Sequence, residues 1–170
     1  TQSYYNLMSG LPKTLPSVQA NDKLSDDFNM VSTQIALVNK DMPDSKVKEM
    51  LDEIDNLDGV EWSMTKAKIT KGLVLDEMIN DDIKSVFESE RYQMIIINSS
   101  YETATNEENE LVNKINEIIK KYDSDGILAG EAPLMKDLVE IADQDFNSVN
   151  ISSIAVIFIL MILVFKSGSI

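Results

Sequence analysis

The spacing of apolar residues along this chain changes between the period of a strand and the period of a helix. Four short segments rich in β-branched and other apolar residues predict strands, at residues 30–39, 60–69, 92–99 and 127–129. The third segment, with the sequence YQMIIINS, carries the strongest strand signal. The second alternates between apolar and polar positions, which is typical of a strand with one solvated or partner-facing side.

Apolar residues at helical spacing separate these strands. Residues 44–57 carry apolar side chains on one helical face and predict a helix. A second helix is predicted to begin at a cap formed by Thr105 or Asn106 and to end near Lys121, where a cation suits the helix dipole. Residues 72–91 predict a crossover with one or two short helices.

The elements follow the order strand–helix–strand, crossover, strand–helix–strand. This order predicts an α+β fold of the ferredoxin-like, split βαβ type, in which four strands form one sheet and the helices cover one face. A short helical stretch is predicted over residues 17–28, before the first strand. Another helix is predicted from Pro133, and no breaker separates it from the apolar segment that follows.

This apolar segment is long enough to cross a membrane. Residues 148–165 contain no charged side chain, and apolar residues cover every face of the helix that they would form. A membrane-spanning helix needs about 20 apolar residues, with a range near 17–25. A buried core helix is the alternative, but a domain of this size has little room to surround one. We therefore predict a partial transmembrane helix over residues 149–166.

The distribution of charge agrees with a membrane helix. All 29 acidic residues and 14 of the 15 basic residues precede residue 150, so that part carries a net charge of −15. The single charge after residue 150, Lys166, is predicted to anchor the cytoplasmic end of the helix. Residues 1–148 are then expected on the extracytoplasmic side of a cell membrane.

These features divide the chain into four predicted parts. Residues 1–28 are an entry segment that follows a preceding transmembrane helix, and residues 29–132 are an extracellular α+β domain. Residues 133–148 are a connecting helix, and residues 149–166 enter the membrane. Because the chain begins without Met and stops soon after the apolar run, we expect it to be a segment of a longer membrane protein.

The composition excludes several kinds of site. The chain has no His and no Cys, so zinc sites that use these residues, disulfides and Ser-His-Asp or Cys-His catalysis are excluded. The net charge of −14 argues against nucleic-acid binding, which needs clustered Lys and Arg. We expect no enzyme activity, no catalytic residue, no metal and no cofactor.

Two acidic clusters have a chemical and a structural interpretation. Asp123, Asp125 and Glu131 resemble part of a calcium loop, but the position of Gly126 does not fit an EF-hand, and a turn between helix and strand is the interpretation that we favour. A second cluster is expected to be the solvated start of a helix rather than a set of paired catalytic carboxylates. Its members are Glu102, Glu107, Glu108 and Glu110.

Trp62, Met64 and Met94 are the candidate residues for a substrate path. Methionine suits an adaptable hydrophobic surface, although core filling is the more ordinary use of the residue. The single Trp lies on an alternating segment and is expected to pack beneath a helix, with an exposed position facing a ligand as the alternative. Residues 98–100 and 150–152 match the N-glycosylation pattern.

The end of the chain resembles the junction between the extracellular domain and the second transmembrane helix in RND-superfamily transporters of the MMPL type. The residues that carry the resemblance are Gly130-Glu131-Ala132-Pro133-Leu134, Asp137-Leu138, Asp143, Asp145-Phe146, Val149-Asn150 and Ser152-Ser153-Ile154, followed by an apolar helix that ends in Val164-Phe165-Lys166-Ser167. Residues 11–28 resemble the stretch that follows the first transmembrane helix in that family, and residues 57–60 fit as well. The resemblance spans nearly the whole chain.

The resemblance implies a function. Members of this family export hydrophobic or amphiphilic molecules, including lipids and drugs, and use the proton gradient to do so. Their extracytoplasmic porter domains have the split βαβ architecture. This chain would then be one porter domain of a permease with two similar halves. Its partners would be membrane lipid, a second similar porter domain and a hydrophobic or amphiphilic small molecule. The proton-relay aspartates of the family belong to later membrane helices and are absent from this sequence.

The resemblance also implies a helix that couples the membrane to the domain. Its candidate residues are Pro133, Asp137, Asp145, Phe146 and Asn150. If continuous from Pro133 to Phe165, such a helix would transmit motion of its membrane end to the porter domain.

Two other functions stay open at this point. The chain could be a membrane-anchored extracellular binding or sensor module without transport activity, or an enzyme that uses carboxylates. The flanking sequence separates these hypotheses, since a transporter predicts an apolar helix before Thr1 and at least four more spans after Ile170.

Overall fold

The computed structural model describes residues 11–66, 68 and 86–165. Most of the predicted crossover and the predicted anchor Lys166 lie outside these residues. We number the described elements in chain order. They are α1 (Pro16–Phe28), β1 (Ser32–Asn39), α2 (Asp44–Asp55), β2 (Val60–Thr65), β3 (Tyr92–Ser99), α3 (Asn106–Tyr122), β4 (Ile127–Gly130) and α4 (Glu131–Phe165).

The four strands form one antiparallel sheet in the order β2-β3-β1-β4. The central strands β1 and β3 pair along their whole lengths, from Ser32 opposite Ser99 to Asn39 opposite Tyr92. A β-α-β unit precedes the crossover and a second one follows it, as the element order predicted. The predicted α+β, split βαβ fold with helices on one face and a long C-terminal helix is therefore confirmed.

The core lies between the sheet and the apolar faces of α2 and α3. Alternate residues of β1 and β3 point into it, because successive side chains of a strand face opposite sides of a sheet. Since burial of apolar surface is the dominant favourable term in folding, these side chains fix the two helices on this face. The buried cluster consists of Ala36, Val38, Met42, Val47, Met50, Leu51, Ile54, Ile95, Ile97, Leu111, Ile115 and Ile119.

The ends of α3 show why this segment is a helix. Thr105 is the N-cap, and its Oγ1 accepts a hydrogen bond of 3.2 Å from the backbone N–H of Glu108. Lys120 and Lys121 lie in the last turn, where cations stabilise the helix dipole. The predicted cap and the predicted basic end are both confirmed.

A polar contact ties the C-terminal end of α3 to α2. The carboxylate of Glu53 accepts hydrogen bonds from Lys121 Nζ at 2.6 Å and from the Tyr122 hydroxyl at 2.6 Å. These two hydrogen bonds, that from Lys121 first, hold the pKa of Glu53 below its ordinary value. The contact is exposed to solvent, so we assign it a role in the orientation of the helices rather than in stability.

The chain divides into two compact units, and the boundary between them lies within the C-terminal helix α4. Its first residues lie in the unit that ends at Lys136, and Ala132, Pro133 and Met135 are buried there. From Asp137 onward the helix forms a unit by itself. By length and composition α4 is the one helix among the described residues that could cross a membrane, and its apolar window is not buried in the protein.

Candidate functional site

A β-bulge in β2 decides where the predicted substrate residues lie. Val60 pairs with Ser99, but Trp62 pairs with Asn98, so Glu61 is an extra residue in this strand. Paired residues share a face of the sheet. The bulge therefore directs Val60 to the helix-covered face and Trp62 to the opposite one.

The expectation that Trp62 packs beneath a helix is wrong. The small polar residues Ser63 and Thr65 occupy the helix-covered face of β2 and are buried, whereas Trp62 is half-buried on the other face and Met64 is 37% exposed. Simple alternation predicts one apolar face for Val60, Trp62 and Met64, and the extra residue breaks that alternation.

The face of the sheet away from α2 and α3, which we call the distal face, brings the three predicted residues together. Met64 pairs with Ile96, and Met94, two residues from Ile96 on the same strand, pairs with Leu37. The middle of the face is apolar, polar side chains lie at both ends, and none of its members is charged. They are Thr33, Ile35, Leu37, Asn39, Trp62, Met64, Tyr92, Met94, Ile96, Asn98, Ile127 and Ala129.

Asn98 holds one of the two polar ends of the distal face, the end that also contains Thr33. The Asn98 side chain is fully buried, and its Nδ2 donates a hydrogen bond of 2.7 Å to the backbone carbonyl of Asn29, the residue that caps α1. Glycosylation at the 98–100 pattern would need this same nitrogen free and exposed. The folded domain therefore does not offer that site.

The helix-covered face contains a buried acidic group that the sequence analysis placed in solvent. Glu108, in the first turn of α3, is 0% exposed. One of its carboxylate oxygens accepts a hydrogen bond of 2.9 Å from Gln34 Nε2, and the other accepts one of 2.6 Å from the Ser99 hydroxyl. The expectation of a solvated glutamate at this position is wrong.

The local sequence explains why a solvated position was predicted for Glu108. Thr105-Asn106-Glu107-Glu108 matches the capping-box pattern, in which the glutamate returns to the N-cap backbone N–H. Here the backbone N–H of Thr105 bonds to the carbonyl of Glu102 instead, and the Glu108 side chain turns inward. A polar Gln34 in the middle of an apolar strand was the available signal, because a buried amide needs a partner.

Burial dominates the electrostatics of Glu108. Desolvation of the charged form raises the pKa of this carboxyl, and the hydrogen bonds from Ser99 and Gln34 oppose that rise. The nearby Ser32 hydroxyl also favours the ionised form and lowers the pKa of Glu108, although its geometry does not meet the criteria for a hydrogen bond. The net direction is upward from the ordinary value of 4.5.

The acidic turn after α3 has a structural role. Asp123 accepts hydrogen bonds from the backbone N–H of Asn39 at 2.7 Å and from that of Asp125 at 3.0 Å. These bonds fix the turn and attach it to the end of β1. Within residues 11–66, 68 and 86–165 no group of three or more acidic side chains is arranged to hold a metal ion.

A groove of about 370 Å³ was not anticipated from the sequence. Its volume lies in the range of about 300–1,000 Å³ that small-molecule sites occupy. One lysine and three carboxylates are mixed in its lining, and it contains none of the predicted substrate residues. The lining consists of Leu11, Lys13, Val18, Asn21, Asp22, Ser25, Val31, Glu102, Thr103 and Glu131.

The residues predicted for the coupling helix all lie on α4. Pro133 is buried in the first unit of the chain. Asp137, Asp145, Phe146 and Asn150 are exposed in the second unit, with Phe146 56% exposed. The structure thus confirms that one uninterrupted helix carries all five residues, and their coupling role stays a prediction.

Comparison with known proteins decides the family. The profile that describes the MMPL family matches residues 9–169, which is nearly the whole chain. The chain belongs to the MMPL family. No curated protein matched the chain.

Membership in the MMPL family indicates in which kind of protein this fold occurs. The chain is part of a membrane protein of the RND/MMPL type, with a role related to transport. The α+β unit and the long apolar helix α4 are the two features of the structure that agree with this role.

Proposed function

We propose that this chain is an extracytoplasmic porter domain, with its connecting and membrane helices, of a proton-driven exporter of hydrophobic or amphiphilic molecules. The observation that carries the proposal is the uncharged, largely apolar distal face in a part of the chain, before residue 150, that carries a net charge of −15. MMPL membership supports transport, and the resemblance described above supports the proton gradient as its driving force.

The chemistry of the distal face suits a substrate with a large apolar part. Met64 and Met94 supply flexible, polarisable side chains that adapt to different shapes, and Trp62 supplies a rigid aromatic surface. No charged group on this face selects a particular head group. The proposal therefore assigns lipids or amphiphilic drugs, contacted through their apolar parts, and it assigns no enzyme activity to the chain.

A charge on the distal face should reduce transport. Met64→Asp places a carboxylate among Trp62 and Ile96, where an apolar substrate would have to displace its hydration. We expect export of a hydrophobic substrate by the intact protein to fall at least about tenfold, which corresponds to about 1.4 kcal/mol of lost interaction. Transport is measured in cells against a panel of lipids and amphiphiles.

The control for this experiment adds the same charge elsewhere. Asn116→Asp lies on the exposed face of α3 and should leave export unchanged. Both variants must reach the membrane in equal amounts, which immunoblotting checks. Normal export by Met64→Asp, at normal abundance, would remove the distal face from the substrate path.

The orientation in the membrane is a separate part of the proposal. The chain has no Cys of its own, so in a cysteine-free version of the intact protein an introduced cysteine gives an unambiguous signal. Asn116→Cys is expected to react with a membrane-impermeant maleimide in intact cells, and Ser167→Cys only after permeabilisation. The protein without cysteine should stay unlabelled, and the reverse pattern for the two variants would place residues 1–148 in the cytoplasm.

A further inference from the structure

Glu108 has no positive partner within the part of the chain that the structure describes. Ion pairs in that part join Lys66 with Glu88, Lys68 with Asp55 and Lys121 with Glu53, and none of these three involves Glu108. The only hydrogen-bond donors that reach the Glu108 carboxylate there are the neutral side chains of Gln34 and Ser99. An ionised carboxylate buried in this way is costly, and such groups tend to bind a proton.

Two buried oxygens beside this carboxyl can accept a hydrogen bond from its protonated form. Ser32 Oγ and Gln34 Oε1 are both buried, and among the residues that the structure describes neither has a hydrogen-bond partner. Ser32 and Gln34 lie on β1 with their side chains on the helix-covered face, as does Ser99 on β3. Rotation of the Gln34 amide by half a turn exchanges its nitrogen for its oxygen, so it donates to the ionised form and accepts from the protonated one.

The titratable groups that flank Glu108 in the sequence and on the paired strands are acids. β1 contains no titratable residue, and β3 contains Tyr92 alone, at the opposite end from Ser99. Glu107 on the same helix, Glu102 before it and Tyr101 after β3 are all acidic groups, and the charges of Glu107 and Glu108 both help to raise the pKa of Tyr101. Glu131, next to the residue that pairs with Gln34, adds a further carboxylate.

We propose that Glu108 is a reversible proton-binding site of this domain, in which Gln34 and Ser99 donate hydrogen bonds to the ionised carboxylate and Ser32 Oγ or Gln34 Oε1 accepts a hydrogen bond from the protonated carboxyl. The site joins the start of α3 to both central strands. It is separate from the distal face, because it lies on the other side of the sheet. The inference stands whether or not the chain takes part in export.

The site also adjoins the strand that leads into the membrane-directed helix. Gln34 pairs with Gly130, the last residue before α4. A Cβ atom on Gly130 would lie 2.9 Å from the carbonyl oxygen of Thr33 and 3.1 Å from the Cα of Gln34. Gln34, which donates to the Glu108 carboxylate, therefore lies on a strand whose backbone closely approaches the residue before α4.

The sign of the pH dependence follows from the raised pKa of Glu108. A carboxyl whose pKa is higher in the folded than in the unfolded state binds a proton on folding over the interval between the two values. Its contribution to stability is fully present below the unfolded value and is lost as the pH rises through the folded value. Acidification within that interval should therefore stabilise the domain.

The first test is urea unfolding of the full chain in detergent micelles over a range of pH, followed by the fluorescence of Trp62. Glu108→Gln mimics the protonated carboxyl and is expected to remove the pH dependence that the wild type shows above 4.5. Glu107→Gln, an exposed neighbour, is the matched control and should retain it. An unchanged pH profile in Glu108→Gln would overturn the proposal.

The second test does not require the Glu108 variant to fold. The side-chain carboxyl carbon of Glu108 is followed by NMR in the wild type as the pH is changed. We expect its titration midpoint to lie above the ordinary value of 4.5, and to move further upward in Gln34→Leu because a donor to the ionised form is lost. A midpoint at or below 4.5, or no movement in Gln34→Leu, would contradict the assignment.

Discussion

Replacement of Ile97 by alanine is expected to lower the free energy of unfolding by about 2–5 kcal/mol. Ile97 is 0% exposed at the centre of β3, and it lies in the cluster that α2 and α3 cover. Alanine removes buried methylene and methyl groups and leaves a cavity that a close-packed core fills only in part. Urea unfolding of the full chain in detergent, followed by Trp62 fluorescence, measures the loss.

The adjacent residue provides a matched control. Ile96→Ala deletes the same atoms from the same strand, but Ile96 points to the distal face and is only half-buried. Less apolar surface is removed from the protein interior, so the loss should be clearly smaller than for Ile97→Ala. Equal losses for the two variants would contradict the assignment of the two faces.

Replacement of Gly59 by alanine is expected to destabilise the domain by more than about 1–2 kcal/mol. Gly59 adopts a φ of 93°, and positive φ alone costs a residue with a Cβ atom about 1–2 kcal/mol. The new Cβ would also lie 2.1 Å from the Tyr101 ring, which must move. That movement also disturbs the 3.1 Å hydrogen bond from the Tyr101 hydroxyl to Asp58.

A double-mutant cycle separates the two causes. In a Tyr101→Ala background the ring is absent, so Gly59→Ala should cost only about 1–2 kcal/mol, the part that belongs to the backbone. The same cost in both backgrounds would show that the Tyr101 ring does not resist the added Cβ. Unfolding by urea is again the measurement.

Much of the local structure was predictable because each element has its own signal in the sequence. β3 was predicted at residues 92–99 and occupies Tyr92–Ser99, since a run of β-branched residues flanked by polar ones is unambiguous. The helix predicted at 44–57 spans Asp44–Asp55 for a similar reason. The order of these elements was then enough to predict the sheet.

The face on which Trp62 lies was not predictable from alternation. Alternation specifies the faces of a strand only while its register is regular, and the extra residue Glu61 shifts that register. The bulge is visible only against the partner strand β3. The sequence placed Trp62, Met64 and Met94 together as candidates, and the pairing shows that they share the distal face.

Burial of Glu108 was not predictable either. In sequence it is one of several glutamates at a helix start, where solvent and the helix dipole both favour acidic side chains. Its partners Gln34 and Ser99 lie 74 and 9 residues away in the chain. The Glu108 carboxyl is buried because hydrogen-bond donors from the two strands β1 and β3 reach it. These donors come together only in the assembled sheet.

By itself, the sequence determined the order of the elements and the two environments of the chain. The uncharged residues 148–165 predict a helix that lies in lipid, and the net charge of −15 before residue 150 predicts a domain that lies in water, because these signals are local. Only the tertiary structure decided which side of the sheet is apolar and accessible and which carboxyl is buried. Both depend on pairings between distant segments, and a single residue of register is enough to reverse the first of them.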